Sequence, residues 1–501
     1  MGSLTKLNFK IISHLMGLLL MVNGGFMLLA AIVSWYYEDG VTLQISAAAM
    51  LVIFTGLIMM FFSRGHGKEL RTREGYIVVS FGWILLSLSG TLPFLFTGAI
   101  PSFTDSFFET VSGYTTTGAS ILNDIEVIPK GILLWRSLTH WIGGMGIIVL
   151  AIAVLPLLGV GGMQLFSAES PGPGADKLKP RVTDTAKRLW LIYFGYTIIQ
   201  AVLLKIAGMN FFDAINHAMS TMATGGFSTK NASAAFWNDQ PVIQYILIIF
   251  MFLAGLNFVL SYFGFKGNFR KIFRDDEFKW YTGFILLFSF ITALVIYFQA
   301  DPGLSSIEHP QVWGRAESAV RHALFMVISM ITTTGYVSAD YTLWAPLTGT
   351  LFFGLLFIGG SAGSTSGGVK VIRHLIMIRN GIMQFKRALH PHAVLPIRFN
   401  GSAVNNDIVY SVLGFFILYL LSFIVGAMVL ALFGLDLLSA LGGAATSLGN
   451  VGPAFGILGP VNNFQAIPAP AKWWCCFLMI IGRLELFTFL ILFTPYFWRN
   501  R

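Results

Sequence analysis

Ten predominantly apolar stretches follow one another along this 501-residue chain, and a helix needs only about 20 such residues to cross the hydrocarbon core of a bilayer. They lie near 11–36, 41–63, 75–98, 134–158, 189–209, 242–264, 280–299, 349–379, 407–434 and 473–498. Residues are 55% hydrophobic and 11% charged, whereas a soluble domain carries about 25% charged residues. A soluble enzyme, a disordered regulator and a secreted disulfide scaffold are excluded. An all-α polytopic membrane protein remains, because a helix satisfies its own backbone polar groups in lipid.

Charge sets the direction of the spans. The net charge of +9 gathers in alternate connections: Arg64, Lys68, Arg71 and Arg73; Lys177, Lys179, Arg181, Lys187 and Arg188; Lys266, Arg270, Lys271, Arg274 and Lys279; Lys370, Arg373, Arg379, Lys386, Arg387 and Arg398. With Lys6 and Lys10 before the first span and Arg499 and Arg501 after the last, the positive-inside rule predicts ten crossings with both termini cytoplasmic. The first stretch is too long for a signal-peptide core and reads as a retained span. Cys475 and Cys476 are adjacent in an apolar run, a poor arrangement for a disulfide or zinc, and are expected as packing residues.

An internal repeat carries the functional argument. Four short segments combine small and hydroxylated residues with glycine: Tyr114-Thr115-Thr116-Thr117-Gly118-Ala119, Met222-Ala223-Thr224-Gly225-Gly226-Phe227, Ile331-Thr332-Thr333-Thr334-Gly335-Tyr336 and Thr446-Ser447-Leu448-Gly449-Asn450-Val451. Taking Gly118, Gly225, Gly335 and Gly449 as the recurring glycines gives near-constant spacing. Each segment follows an apolar stretch too short to span, over 105–113, 212–221, 318–330 and 436–445, the length of a re-entrant half-helix. The unit is therefore span, half-helix, irregular strand, span, and its even number of crossings gives all four copies one orientation around a common axis. Half-helix C-termini pointing inward each contribute a partial charge of about −0.5. The segments contain no Asp, Glu, Lys or Arg. A cation would then be met by neutral carbonyls, as in potassium filters, with glycine permitting close backbone approach.

These segments, together with Trp135-Arg136-Ser137, Trp141-Ile142-Gly143-Gly144-Met145-Gly146 and the run Phe357-Ile358-Gly359-Gly360-Ser361-Ala362-Gly363-Ser364-Thr365-Ser366-Gly367-Gly368-Val369-Lys370, make the chain resemble the Trk/Ktr/HKT superfamily of potassium transporters. Within it the resemblance is to the branch of the bacterial TrkH/TrkG membrane subunits, and it covers nearly the whole sequence. It implies a pseudo-fourfold pore built from four span/re-entrant helix/span repeats, at 74–187, 188–275, 276–400 and 401–501, preceded by two extra spans at 1–73. The implied potassium filter comprises Thr116, Thr117, Gly118, Ala223, Thr224, Gly225, Thr333, Thr334, Gly335, Leu448, Gly449, Asn450 and Val451. Some plant relatives have serine at the first filter glycine, linked to sodium permeation; Gly118 here implies potassium. The fourth filter departs most, with Leu448 and Asn450 flanking Gly449. The resemblance also implies a bacterial inner-membrane location, a homodimer, and a cytoplasmic TrkA-like nucleotide-binding regulatory subunit. The chain has no GxGxxG motif after a strand, so nucleotide control would be supplied in trans. Potassium is the transported ion; no cofactor and no nucleic acid is expected.

Between Gly359 and Gly368, nine of ten residues are Gly, Ser or Thr, in mid-span, where non-helical backbone is tolerated only inside protein or beside a water-filled cavity. That loop is a candidate gate through Gly359, Gly360, Gly363, Gly367 and Gly368, the other reading being a packing kink. A phosphate-binding loop fits worse, since Val369 stands where lysine is required. Arg483 lies near the middle of the last span, where a bare arginine costs about 2.5–3.5 kcal/mol. In the resembled family this arginine is expected to touch the gating loop. Glu485 lies on another side of the same helix and cannot face it. Lys370 is expected as an interfacial anchor, and His140, His217 and His322 as interfacial or packing residues. An alternating-access transporter, coupled to a cation and enclosing an organic substrate between broken helices, would place charged or polar side chains at its site, whereas these segments are free of charge. A membrane enzyme would show clustered nucleophile, base or metal ligands, which the sequence lacks.

Overall fold

Two long apolar helices, Phe9–Tyr37 and Thr42–Phe62, open the chain and pack on each other along small residues. A Cβ on Gly17 would stand 2.7 Å from the Gly56 carbonyl oxygen, and one on Gly56 equally close to Gly17. In lipid such backbone approach replaces hydrophobic driving force as the source of helix association. The computed structural model describes residues 7–65, 71–153, 178–299, 310–393 and 395–498. The end of the fourth expected span and Lys6, Lys68, Lys177, Arg499 and Arg501 lie outside the described residues. The only strands among those residues form the antiparallel pair Arg398–Phe399 and Ser402–Ala403.

Four short helices follow, at Phe103–Tyr114, Phe211–Met222, Arg315–Ile331 and Leu437–Gly449. Ser102, Asn210 and Asp436 cap three of them by accepting the N–H of Asp105, Asp213 and Ser439. These caps explain why helices begin there at all, since each supplies an acceptor to a donor that would otherwise lack one. Their C-terminal halves are buried all round, which is the environment of a half-helix enclosed by its own protein. The first is held by the leading hairpin: Tyr114 donates to Asn23 Oδ1 at 2.5 Å, and Asn23 Nδ2 donates to Ser89 Oγ at 2.9 Å.

Each half-helix lies between a long incoming helix and an outgoing one. The incoming helices are Thr72–Gly90 continued by Leu92–Thr97, Leu178–Ile206, Asp276–Phe298 and Asn406–Leu432. The outgoing helices differ from the expected straight spans. Among the described residues six helices are long and apolar enough to cross unbroken, and two further spans are bent pairs. Pro241–Ala254 turns by 109° into Phe258–Phe265, and Ala469–Arg483 turns by 107° into Phe487–Phe493. The expected interruption of the third outgoing helix is there, between Pro346–Leu355 and Val371–Leu389. The first, Lys130–Ala153, runs unbroken. The bend in the last span lies at Leu484–Leu486, where Glu485 and Leu486 take positive φ of 54° and 52°. Arg483 and Glu485 are therefore not on one continuous helix.

A buried ion pair of the first repeat braces it against the second. Arg136 Nε lies 2.6 Å from Glu109 Oε1, with both side chains almost fully enclosed. Arg136 also donates to the Ser228 carbonyl at 2.9 Å and stacks 3.6 Å above Phe227. Glu109 meanwhile accepts from Ser120 Oγ and Ile121 N, each at 3.0 Å. The pair thus fixes the chain leaving the first half-helix against the chain leaving the second. Glu109→Ala strands a buried guanidinium, and should lower unfolding stability in detergent by about 3–5 kcal/mol. The more exposed Lys230–Glu126 pair at 3.4 Å provides the contrast: Lys230→Ala should cost less than about 1 kcal/mol. Equal losses in the two variants would contradict this assignment.

Candidate functional site

All four half-helices end by the same backbone manoeuvre. The chain enters the left-handed region at Thr116, Thr224, Thr333 and Asn450, with φ of 51°, 55°, 55° and 53°. One residue later an N–H turns back to a carbonyl of the half-helix: Thr117 to Ser112, Gly225 to Ser220, Thr334 to Ser329 and Val451 to Thr446, at 2.8–3.0 Å. One residue further, Gly118, Gly226, Gly335 and Gly452 take φ of 80°, 83°, 75° and 103°. The equivalent glycines are thus Gly226 and Gly452, not Gly225 and Gly449. Gly225 and Val451 match Thr117 and Thr334, while Ala223 and Gly449 match Thr115 and Thr332. Leu448 still belongs to the half-helix that ends at Gly449.

Those glycines close a ring. A Cβ on Gly118 would overlap the carbonyl oxygen of Gly225, one on Gly226 that of Thr334, and one on Gly335 that of Val451. A Cβ on Gly452 would stand 2.6 Å from the carbonyl oxygen of Thr117. Contacts from repeat 1 to 2, 2 to 3, 3 to 4 and 4 back to 1 surround a common axis. Four equivalent carbonyls, of Thr117, Gly225, Thr334 and Val451, occupy its seams. Thr116, Thr117, Thr224, Thr333, Thr334 and Asn450 are buried, and the Thr116 hydroxyl has no hydrogen-bond partner. Behind the second segment sits His140. It takes the space that a Cβ on Gly225 would need, its Nδ1 is 3.0 Å from Ser220 Oγ, and it stacks on Phe227. His217 and His322 are also buried, beside Ser228 and Ser338; all three histidines pack in the interior rather than at an interface.

Beneath the ring lies the glycine loop. Gly359 N donates to Val369 O at 2.8 Å and Val371 N to Gly360 O at 3.1 Å, so the loop leaves and rejoins the span at one neck. Gly363 and Gly368 have φ of 72° and 63°, turns for which glycine is suited. The loop contacts the second, third and fourth repeats directly. Ser361 N donates to Gly255 O at 2.9 Å, and Phe258 N to Gly363 O at 3.2 Å, so the break in the second outgoing span supplies its partners. Thr365 Oγ1 donates towards Met222 O and Ala254 O, at 2.9 and 3.2 Å. Gly367 N donates to Thr333 Oγ1 at 2.6 Å, and a Cβ on Gly367 would lie 2.5 Å from Gly449 O. Ala362 N donates to Glu277 Oε1 at 2.7 Å.

Arg483 links this loop to the first repeat. It is 2% exposed, with Nη1 donating to Thr365 O at 2.7 Å and Nη2 to Gly143 O at 3.3 Å. Glu485 is turned instead onto Arg373, whose guanidinium stacks 3.8 Å from Phe415. Lys370 differs from expectation. It is buried rather than interfacial, with Nζ on the carbonyl and hydroxyl of Ser366. Its place just after the glycine run suggested an anchor at the interface, but the loop folds back on its own exit and brings Ser366 onto it. Sequence reasoning also missed Asn23 and Glu109, isolated polar residues beside apolar ones whose position was the available signal, and Glu277, which the charged run Arg274-Asp275-Asp276-Glu277-Phe278-Lys279 concealed. Cys475 and Cys476 are free and buried. Among the described residues no group of three or more His, Cys, Asp or Glu could hold a metal ion.

Known proteins share this architecture over its full length. Residues 42–499 match the TrkH family, described as cation transport protein. The chain is 40% identical to the Trk system potassium uptake protein TrkH of Salmonella typhimurium strain LT2, over 99% of this chain and 100% of the relative. It is 34% identical to the Trk system potassium uptake protein TrkG of Escherichia coli strain K12, over 98% and 99%. The crystal structure of the potassium transporter TrkH from Vibrio parahaemolyticus superimposes with a TM-score of 0.88 at 38% identity, covering 98% of this chain and 100% of that one. On sequence and fold together, this integral membrane protein belongs to the TrkH family of cation transport proteins.

Proposed function

We propose that the chain takes up potassium through the axis of the carbonyl ring. The observation that carries this reading is the closed cycle of glycine–carbonyl contacts among Gly118, Gly226, Gly335 and Gly452. Four seam carbonyls with no charged side chain in their segments suit a monovalent cation that exchanges its water for neutral oxygens. The four half-helix C-termini add a potential of the right sign. Sequence-anticipated filter residues keep this role, with Gly226 and Gly452 joining them and Leu448 standing behind the ring. We read the domains as two leading helices followed by four pore units divided near 187, 275 and 400. Both termini are cytoplasmic on this reading, in a bacterial inner membrane. A homodimer and a TrkA-like nucleotide-binding partner complete the assembly.

The Gly359–Gly368 loop is the gate in this proposal, and Arg483 its latch. The loop lies on the conduction axis below the ring, and its hydrogen bonds to Thr333, Met222 and Gly255 hold the closed state. A guanidinium under the ring adds an electrostatic barrier to cations while tying the loop to repeat 1. Opening then requires the loop to exchange these bonds for others.

Flux into liposomes containing this chain alone tests the reading, with potassium and then sodium gradients. A voltage following the potassium Nernst potential is expected, and equal response to both ions would overturn it. Gly452→Ser places a Cβ against Thr117 O, as Gly118→Ser does against Gly225 O. Both should lower the potassium-to-sodium uptake ratio several-fold, and an unchanged ratio in folded Gly452→Ser would reject the ring. For the latch, Arg483→Ala should raise potassium flux about tenfold or more, equivalent to about 1.4 kcal/mol off the barrier, while Arg483→Lys stays nearly closed. A purely structural arginine gives another pattern: loss of bonds to Thr365 O and Gly143 O lowers stability by about 1–3 kcal/mol with flux per folded molecule unaltered.

A further inference from the structure

The four segments are alike in backbone but not in the side chains that brace them. Repeats 1 and 3 carry a hydroxyl pair around the left-handed residue, Thr115 with Thr117 at 2.8 Å and Thr332 with Thr334 at 2.7 Å. Repeat 4 has Gly449 and Val451 at those positions and so no pair, and it has Asn450 where the other repeats have threonine. The Asn450 side chain crosses into repeat 1. Its Nδ2 lies 3.0 Å from Thr117 Oγ1 and 2.9 Å from the Met479 carbonyl oxygen of its own repeat.

Donor and acceptor roles along this chain of bonds are determined. A carbonyl can only accept, so the Asn450 atom facing Met479 O is the amide nitrogen. Its other N–H goes to Thr117 Oγ1. That hydroxyl passes its own proton to Thr115 Oγ1, which donates to Val111 O at 2.7 Å. Reversing the amide would set Asn450 Oδ1 against Met479 O, two acceptors face to face. Oδ1 is left buried without a hydrogen bond, towards Gly367 and Gly482. The seam so bridged is also the most open of the four, since a Cβ on Gly452 would find more room than one on Gly118, Gly226 or Gly335.

We infer that the Asn450 amide is a positioning residue for ion discrimination: it locks the Thr117 hydroxyl and thereby holds the Thr117 carbonyl, and the seam between the last repeat and the first, in the ring. The inference rests on the ring being the potassium filter. It assigns Asn450 a duty that its backbone, as one of four left-handed turns, does not perform.

Asn450→Thr is the informative substitution, because threonine already occupies the same left-handed turn at Thr116, Thr224 and Thr333. The variant keeps the backbone and removes the amide. In proteoliposomes its potassium-to-sodium uptake ratio should fall about three- to tenfold, the effect of one lost buried hydrogen bond. Thr117→Val removes the other end of the bond and should give the same loss. The double variant should lose no more than either single one, since coupled residues are non-additive. Thr117→Val alone reads the bond if Asn450→Thr does not fold. A selective wild type whose ratio survives Asn450→Thr or Thr117→Val in folded protein overturns the inference, as do additive losses in the double variant. A wild type with no preference for potassium overturns the filter reading, and this inference with it.

Discussion

A carbonyl oxygen can rest against the α-carbon of a neighbouring segment only where that carbon bears no side chain, and the whole architecture turns on four such contacts closing into a cycle. Each repeat offers a glycine to the carbonyl of the next, so the width of the ring is set by backbone atoms that cannot change rotamer. Backbone spacing of this kind is stiffer than any spacing that side chains could set, because interiors packed at crystal-like density do not deform smoothly. The left-handed turn before each glycine and the return bond into the half-helix follow from the same demand. They bring the carbonyl to the seam while leaving its own N–H satisfied.

The region beneath the ring obeys a second demand. Among the described residues three of the four outgoing helices break, and each break frees backbone groups at a depth where water is scarce and an unsatisfied group is costly. The breaks satisfy one another. Gly255 O, exposed by one break, accepts from Ser361 in another, and Thr365 O accepts from Arg483 at the edge of the third. The loop is thus held by an exchange of bonds among the three broken spans, with the unbroken first outgoing helix contributing Gly143 O. A change at one break alters the partners of the other two, and this is the physical form that coupling between repeats takes here.

Much of this was legible in the sequence, and the misses share a cause. Apolar length identified the spans, and the short apolar segments before each glycine-rich strand identified the half-helices to within a few residues. The glycine loop and Arg483 stood out because both are anomalous in lipid. Register in the second and fourth segments did not stand out, because Gly225-Gly226 and Gly449-Asn450-Val451-Gly452 each offer two glycines. The sign of φ that distinguishes them follows from how the half-helix ends, not from composition. The bends at Gly255–Asn257 and Leu484–Leu486 escaped notice for a related reason: one polar residue in each, Asn257 or Glu485, does not end an apolar run, and the bonds that hold the breaks come from elsewhere in the fold, Ser361 on Gly255 and Arg373 on Glu485. Glu277 was missed because its partner Ala362 is distant in sequence, and Lys370 was misjudged because its burial on Ser366 depends on how the loop folds back rather than on its apolar neighbours.

The ring also has a beginning and an end. Three of its seams join repeats that are consecutive along the chain, but the fourth joins Gly452 to Thr117, and the Asn450–Thr117 bond spans 333 residues. During synthesis the first three repeats can be assembled in the membrane while that seam is still open. An incomplete chain therefore carries an unclosed ring, with Thr117 lacking its neighbour until the last half-helix has been made and inserted. Order of synthesis makes closure of the ring a late event: a product truncated before the last half-helix lacks the seam between the last repeat and the first.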